Sequence, residues 1–385
     1  MTSTGITMEN DQIHSARAIV SYPPVEGRKW QLENVTVKEI RDDELLVQMV
    51  ATGVCHTDLA IGSVPQIAGP VPRVLGHEGA GYVKKVGSKV RVAKEGDAVL
   101  MSYASCTSCQ RCRDGQPSYC ALFTEVNTGA KPDAFRSTSN TDVGGSFFGQ
   151  SSFSSLSAVR EDSVVNVSDI IKSEEELKLF APLGCGFQTG AGTVTDLAGT
   201  SEKDTVTIFG LGGVGLAAVM GAKVKGAKTI IGVDRIASRV ELAKSLGATH
   251  VLNTSDPDLD LVQEIKKITQ GAGTTVTVDA SGNVGLITKG LEATAKGGQM
   301  ILVGLMPMDA ELNVHLVTHL QTSKSLRGSV EGGVAHSKYV PQMIEWYRES
   351  KFPIDKLIKY YPIEDFETAV ADMHSGATVK PVLIY

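Results

Sequence analysis

The chain has six cysteines, and four of them fall within fifteen residues, as Cys106, Cys109, Cys112 and Cys120. This spacing is short enough for one tetrahedral metal ion to bind all four thiolates. A closed set of four thiolates, with no position left for water or substrate, is typical of structural zinc. A redox-active CxxC pair is the alternative, but it does not explain two overlapping pairs and a fourth cysteine. The cluster therefore predicts a structural zinc site.

The other two cysteines, Cys55 and Cys185, lie far from the cluster and from each other. His77 follows Cys55 by 22 residues, and Glu78 comes directly after it. Two thiolates, one imidazole and one open position describe a catalytic zinc. Taken singly, a cysteine is more often a small buried apolar residue and a histidine a hydrogen-bonded polar group. Spacing alone leaves both interpretations open.

A glycine-rich motif, Gly210-Leu-Gly212-Gly213-Val214-Gly215, follows an apolar run and opens a helical pattern. This is the context in which G-x-G-x-x-G binds the pyrophosphate of a dinucleotide. Asp234 ends the next predicted strand, 19 residues beyond the last glycine. A carboxylate there accepts hydrogen bonds from a ribose 2′-OH and repels a 2′-phosphate, which favours NAD. Arg235 keeps NADP as the alternative, because an arginine can pair with that phosphate.

Two kinds of segment must position these residues. Residues 15–165 are rich in short β-prone runs punctuated by Gly and Pro, with predicted strands at 16–22, 45–52, 80–86 and 97–101. From residue 205 strands alternate with helices, which predicts βαβ units and a parallel sheet. The predicted strands are 205–209, 229–234, 251–253, 275–279 and 300–303, and the helices are 215–226 and 239–247. A helix at 336–350 and a strand at 382–385 follow, and this tail is predicted to return to the first domain.

Length and composition favour a two-domain globular enzyme, with 385 residues, 42% hydrophobic and 21% charged. The formal net charge of −6 argues against a nucleic-acid partner. No stretch of about 20 apolar residues is present, so no membrane span is predicted. The start, MTSTGITMENDQIHSARAIV, lacks the pattern of a signal or transit peptide. We expect a cytoplasmic protein, whose clustered cysteines bind metal rather than form disulfides.

The motif Gly76-His77-Glu78-x2-Gly81-x5-Gly87-x2-Val90 resembles the signature of zinc-containing alcohol dehydrogenases of the medium-chain dehydrogenase/reductase family. The resemblance covers almost the whole chain. It includes Gly-Val-Cys-His-Thr-Asp, the four-cysteine lobe, Gly-Cys-Gly-Phe-x-Thr-Gly, the dinucleotide motif and a late Gly-Ala-Thr-Val-Lys, all in family order. The segment Cys-His-Thr-Asp-Leu-Ala-Ile is most similar to that of the aryl- and benzyl-alcohol dehydrogenase branch.

This resemblance implies an α/β fold of two domains with a cleft between them. A GroES-like β-rich catalytic domain would comprise residues 1–186 and 331–385, and a Rossmann domain with a doubly wound parallel sheet would comprise 187–330. Cys55, His77 and Cys185 would bind the catalytic zinc, with Glu78 behind it as a transient ligand. Thr57 would pass the alcohol proton towards the nicotinamide ribose. The other implied roles are pyrophosphate pairing by His56 and Lys380, positioning of Lys380 by Asp58, nicotinamide contact by Thr189 and ribose contact by Arg239.

The family implies hydride transfer between NAD(H) and a primary alcohol or aldehyde, here aromatic or allylic. Many relatives carry a relay histidine at the position of Ala60, so the proton would leave by the ribose and water or through His56. Family members are dimers or tetramers, and we expect pairing through an edge strand near residues 300–305.

Three alternatives stay open. Glutathione-dependent formaldehyde dehydrogenase would need basic residues at the pocket mouth, and Lys131 and Arg136 lie in a candidate loop. A reductase acting on one specialised aldehyde or enone shares the same motifs. A zinc-binding interaction module is opposed by the acidic charge and the intact dinucleotide motif.

Overall fold

The computed structural model describes residues 15–22, 29–61, 72–129 and 131–385. The first fourteen residues, on which the prediction of no leader mostly depends, lie outside the described residues. The chain divides into two compact units. The first consists of the described residues up to Cys185, with His336–Pro341 and Ile358–Tyr385. The second consists of Gly186–Ala335 and Gln342–Leu357.

The first unit is built on β-structure. One part is a closed barrel with the strand order Ser15–Tyr22, Lys29–Val37, Lys131–Ser137, Asp142–Gly145, Arg73–Val74. The other is a sheet in the order Val164–Asn166, Ala98–Met101, Gly79–Val86, Glu44–Gly53, Lys380–Ile384, Ile358–Pro362, with Leu156–Arg160 also paired to Glu44–Gly53. The four strands predicted in this part of the chain are confirmed to within a few residues.

The register of the second sheet brings distant parts of the sequence together. Thr52 is paired with Gly79, and Gly53 is paired with Val382. The end of Glu44–Gly53 therefore lies beside the start of Gly79–Val86 and the middle of Lys380–Ile384. Backbone pairing thus brings Cys55 and His77, which lie just beyond these paired residues, to the same part of the unit.

Short helices complete the first unit. They are His56–Ile61, Gln110–Arg113, Phe123–Thr128, Glu174–Phe180 and Phe366–Ser375. Ser173 caps the fourth of them by accepting a hydrogen bond from the Glu176 N–H. Trp30, Phe153 and Phe366 pack ring against ring in the main apolar core of this unit.

The second unit is a six-stranded sheet in which every described pair is parallel. Its order is His250–Asn253, Thr229–Asp234, Thr205–Phe209, Thr274–Asp279, Thr294–Leu302, Ser325–Gly328. This is the Rossmann order, which places ligands at the carboxyl ends of the strands beside the switch point. Its helices are Gly186–Gly192, Gly213–Val224, Ala237–Leu246, Leu261–Ile268, Val284–Ala293 and Leu316–Thr322. One further helix, His336–Arg348, contributes residues to both units.

The edge of the parallel sheet differs from the prediction. Residues 300–302 belong to a strand that is paired on both sides, so they cannot be an open edge. The edge strand next to residues 300–302 is Ser325–Gly328, and its four residues are all exposed. Among the described residues, no helix is long and apolar enough to cross a membrane.

Candidate active site and metal centres

The four clustered cysteines converge in the first unit. Their sulfurs all lie within 4.8 Å of one another. Cys112 Sγ is 3.5 Å from Cys109 Sγ and 3.9 Å from Cys106 Sγ. Four sulfurs at about 2.3 Å from a tetrahedral zinc would be about 3.8 Å apart. The lobe therefore has the dimensions of a tetrathiolate zinc site, and zinc fits it.

The thiols of this lobe differ in acidity. Hydrogen bonds from the backbone, first that of Ser108, lower the pKa of Cys106 to about 6. Burial, and then the neighbouring Cys109, raise the pKa of Cys112 to about 12. Without a cation the four sulfurs would share their protons unequally. A bound divalent ion would stabilise all four as thiolates.

A second cluster joins residues from three distant parts of the sequence. One ligand atom from each of Cys55, His77, Glu78 and Cys185 lies within 4.8 Å of the others. His77, Glu78 and Cys185 are buried, and Cys55 is partly buried. A hydrogen bond with Cys185, and next the charge of Lys380, lower the pKa of Cys55 well below its usual value against the opposing effect of burial. The donor set of two sulfurs and one imidazole suits zinc.

The imidazole of His77 is oriented for a metal. Its Nδ1 is 2.7 Å from Asp58 Oδ1, and both side chains are fully buried. Its Nε2 is buried and has no hydrogen-bond partner among the described residues. A carboxylate on one ring nitrogen fixes the tautomer and leaves the other nitrogen for a cation.

Asp58 has contacts that the sequence did not indicate. The family resemblance implies that it positions Lys380, which stays a prediction. Besides His77, it accepts hydrogen bonds from the backbone N–H of Cys55 at 3.0 Å and of Gly76 at 3.1 Å. Asp58 therefore links the segments that carry two members of the metal cluster.

Lys380 lies against the cluster's carboxylate. Its Nζ is 2.8 and 2.9 Å from the two oxygens of Glu78 and also donates to the Val54 carbonyl. Burial lowers the pKa of Lys380, but the Glu78 carboxylate outweighs it and the net shift is upward. Burial raises the pKa of Glu78 in turn. Pairing of Lys380 with pyrophosphate stays a prediction, and the residue is only 4% exposed.

The residues after Cys55 form a short helix, His56–Ile61. Thr57 is half-buried, and His56 is exposed with its ring 5.9 Å from that of His374. Ala60 is exposed on the same helix and offers no titratable group.

Glycine is required at three positions of the dinucleotide motif, each for a different physical reason. Gly210 has φ +84°, a conformation that L side chains rarely adopt. A Cβ on Gly212 would meet nothing within 4 Å, so this face is open to a ligand. A Cβ on Gly215 would lie 1.7 Å from the Gly210 carbonyl oxygen. Gly213 and Val214 begin the helix Gly213–Val224, with Gly212 as its N-cap.

Asp234 ends its strand as predicted, and it is nearly buried. Its carboxylate accepts the Leu211 N–H at 2.7 Å and the Ile236 N–H at 2.9 Å, which ties it to the glycine loop. Arg239 lies on the following helix, and its Nε is buried without a partner among the described residues. A neighbouring pocket of ≈ 390 Å³ is lined by Arg235, Thr254, Asp256, Pro257, Leu259, Leu261, Asn283, Leu286 and Lys289.

Thr189 lies on the buried helix Gly186–Gly192 of the second unit. Its Oγ1 is 3.3 Å from Glu331 Oε2, and the adjacent Gln188 donates to the same oxygen at 2.8 Å. Glu331 is buried and has a left-handed φ of +50°. No motif in the sequence indicates this contact, because 142 residues separate Thr189 from Glu331.

Aromatic rings surround the imidazole of the second cluster. The ring of Phe148 stacks on His77 at 4.6 Å, and Phe147 meets it edge-on at 5.5 Å. The ring centroid of Phe123 lies 6.4 Å from that of Phe148 and 5.6 Å from that of Tyr103. The wall of the first unit beside this cluster is therefore apolar.

The two basic residues considered for glutathione lie in a strand of the barrel, not in a loop. Arg136 is paired with Asp142 at 3.2 Å and with Asn140 at 2.8 Å. Lys131 Nζ lies 3.8 Å from the nearly buried Glu44 carboxylate.

Comparison with known proteins gives two family matches. Residues 41–169 match the alcohol dehydrogenase GroES-like domain, and residues 213–349 match the zinc-binding dehydrogenase domain.

Relatives extend over the whole chain. A geraniol dehydrogenase of Castellaniella defragrans is 38% identical over 93% of this chain and 95% of its own. An S-(hydroxymethyl)glutathione dehydrogenase of Haemophilus influenzae is 34% identical over 98% of this chain and 100% of its own. The crystal structure of a benzyl alcohol dehydrogenase from Acinetobacter calcoaceticus superposes with a TM-score of 0.87, at 34% identity, over 96% of this chain and 99% of that one.

Proposed function

Because this chain belongs to the zinc-dependent alcohol dehydrogenases, we propose that it interconverts primary alcohols and aldehydes with aromatic or allylic groups. Membership of this family confirms the GroES-like and Rossmann fold class, the oxidoreductase activity on alcohols and aldehydes, and zinc and a nicotinamide dinucleotide as cofactors. The domain boundaries stay a prediction, with the catalytic domain at residues 1–186 and 331–385 and the NAD domain at 187–330.

We assign Cys55, His77 and Cys185 as ligands of the catalytic zinc, with Glu78 behind them. The supporting observation is that the buried Nε2 of His77 has no hydrogen-bond partner in the described part of the chain, while the ligand atoms of the cluster lie within 4.8 Å of one another. When bound, this zinc supplies Lewis-acid polarisation of the substrate oxygen. The other zinc is structural and is held by Cys106, Cys109, Cys112 and Cys120.

The chain's own residues handle the proton. Asp58 accepts the Nδ1–H of His77 and so presents Nε2 to the metal. Thr57 Oγ1 takes the proton of the substrate hydroxyl as it gives up its own hydroxyl proton. Ala60 provides no base, so that proton passes to water directly or through the exposed imidazole of His56, one residue before Thr57.

NAD rather than NADP is the proposed cofactor. Asp234 supports this, because its carboxylate lies at the strand end beside the glycine loop and would repel a 2′-phosphate. Arg239 and the open face at Gly212 would contact the adenosine ribose and the pyrophosphate, and Thr189 the nicotinamide. His56 and Lys380 remain candidates for the pyrophosphate.

The aromatic wall carries the proposal on substrate class. The rings of Phe147 and Phe148 contact that of His77, and Phe123 lies against Phe148, so a benzylic or allylic group could pack along this wall. A glutathione conjugate would need free cations, and Lys131 and Arg136 are engaged with acidic side chains of the same unit.

An NAD⁺-linked absorbance screen tests this substrate class. Benzylic, allylic and terpenoid alcohols should give kcat/KM values well above those of short aliphatic alcohols and of S-hydroxymethylglutathione. The Cys55→Ala variant is the control for background reduction. Preferred turnover of S-hydroxymethylglutathione would refute the proposal, and activity confined to one enone or aldehyde would indicate a dedicated reductase.

We also propose a homodimer or homotetramer formed through the edge strand Ser325–Gly328. The same unit exposes a group of large apolar side chains, namely Leu305, Met308, Leu316, Val317, Leu320, Leu326 and Val330. An exposed edge strand beside apolar side chains favours pairing with a second copy. Light scattering of the wild type and of Leu326→Lys tests this, since a wild-type monomer would refute it.

We further propose that the enzyme works in the reducing cytoplasm, where its six free thiols stay available for zinc.

A further inference from the structure

One buried carboxamide holds the backbone on which His77 and Glu78 are mounted. Gln150 is fully buried. Its Oε1 accepts the Gly79 N–H at 3.1 Å, and its Nε2 donates to the carbonyls of His77 at 2.9 Å and Ser102 at 2.8 Å. All three hydrogen bonds go to backbone groups.

The contact continues from Ser102 to the other side of the metal cluster. Ser102 Oγ donates to the Gly184 carbonyl at 2.5 Å, and Gly184 is joined directly to Cys185. The two backbones lie very close here, because a Cβ on Gly184 would be 1.8 Å from the Met101 carbonyl oxygen. A chain of hydrogen bonds therefore runs from His77 through Gln150 and Ser102 to the residue before Cys185.

The segment that carries Gln150 is strained. Ser146, Phe148 and Ser151 have left-handed φ values of +65°, +52° and +51° without being glycine. Such conformations are unfavourable for residues that have a Cβ and persist only where the surroundings enforce them. Here the same segment stacks Phe148 on the His77 ring and delivers Gln150 to the His77 backbone.

We propose that Gln150 is a positioning residue for the catalytic metal, which acts with Ser102 to fix the separation of His77 and Cys185. The inference rests on the proposed zinc site of Cys55, His77 and Cys185. Asp58 already fixes His77 relative to Cys55. Gln150 supplies the missing connection to the third ligand, so all three ligands are held before an ion arrives.

A purely structural role is the competing explanation, and the chain offers a matched control. Asn127 is also fully buried, accepts the Ala104 N–H at 2.8 Å, and donates to the carbonyls of Ala104 at 2.9 Å and Phe123 at 2.8 Å. Its bonds match those of Gln150 in number and kind, but none of them involves His77, Glu78 or Cys185. A loss of general stability should therefore be similar in the two variants.

The experiment compares Gln150→Met with Asn127→Leu in enzyme whose zinc is replaced by Co²⁺. The spectrum of Co²⁺-substituted Cys55→Ala is subtracted from each full spectrum. The difference is the visible absorption of Co²⁺ at the catalytic site. Zinc release to a chromogenic chelator is followed in parallel. We expect Gln150→Met to shift the difference spectrum and to release one zinc about 10- to 100-fold faster, as loss of outer-shell contacts does elsewhere. Asn127→Leu should leave both at wild-type values.

Ser102→Ala keeps the test decisive if Gln150→Met does not fold. The alanine removes the hydrogen bond to Gly184 and leaves Gln150 in place. It should shift the same spectrum by less. Wild-type spectra and zinc release in these variants, or equal changes in Asn127→Leu, would overturn the inference. A wild-type enzyme that binds only one metal would instead overturn the proposed function.

Discussion

The buried imidazole of His336 should make the enzyme lose stability in mild acid. Its side chain is 6% exposed, and its ring meets that of Tyr103 edge-on at 4.7 Å. Nδ1 has no hydrogen-bond partner among the described residues. Burial lowers the pKa of His336 from 6.5 to about 4, although a hydrogen bond with the backbone of Asp162 opposes the shift.

The sign of the effect follows from the two pKa values. The unfolded chain binds a proton at His336 as the pH falls through 6.5, whereas the folded protein does not until about pH 4. Stability from this residue is therefore complete above pH 6.5 and is lost as the pH falls towards 4. The pKa difference corresponds to about 3 kcal/mol when the loss is complete, and to about 2 kcal/mol at pH 5.

The assay compares the wild type with His336→Phe, which keeps a ring against Tyr103 but cannot bind a proton. The free energy of unfolding of each zinc-loaded enzyme is measured in urea at about pH 7.5 and pH 5. Metal ligands and surface carboxylates titrate in both proteins, so the difference between them isolates His336. The wild type should lose about 2 kcal/mol more than the variant.

A control replaces the exposed His374 with Gln and should behave as the wild type does. Equal losses in the wild type and His336→Phe would refute the reasoning.

Other predictions test the metal sites and the cofactor site. Cys55→Ala should retain one zinc per chain and the wild-type circular dichroism spectrum but lose nearly all turnover. Cys112→Ala should lose the other zinc and about 2 kcal/mol or more of stability, which lowers Tm by about 4–8 °C; an unchanged Tm would contradict the closed site. Gly215→Ala should disrupt the dinucleotide loop, because its Cβ would overlap a backbone oxygen. Gly212→Ala should fold normally and weaken only NADH binding in a fluorescence titration. Asp234→Ala should lower kcat/KM for NAD⁺ by about 10- to 150-fold, from the loss of about 1.5–3 kcal/mol of charge-assisted bonding. A wild-type preference for NADP⁺ would reverse that assignment.

Local sequence signals predicted what depends on local geometry. The glycine loop could be assigned because its turn, open face and helix contact each require glycine within six residues. The four-cysteine lobe could be assigned because its ligands lie within fifteen consecutive residues. The parallel strands could be assigned because they are filled with β-branched and aromatic residues, as in Thr205–Phe209.

Long-range partners could not be predicted in this way. Asp58 sits next to Thr57 in the sequence, but its partner is decided by the strand register that brings His77 beside it. The edge strand Ser325–Gly328 could not be recognised because all four of its residues are exposed. An exposed strand does not need the apolar run that marks a buried one. The barrel strand Lys131–Ser137 contains Pro and three charged residues, which explains why it resembled a loop.

The contact between Glu78 and Lys380 also has a consequence for synthesis of the protein. These residues are 302 positions apart. At about 5–20 residues per second, a ribosome adds Lys380 roughly 15–60 seconds after Glu78. During this interval Lys380 cannot pair with the Glu78 carboxylate, and the strand Lys380–Ile384 cannot pair with Glu44–Gly53. The zinc site proposed here is therefore finished only after translation of almost the whole chain, and metal insertion into the complete site must be a late event in the life of the enzyme.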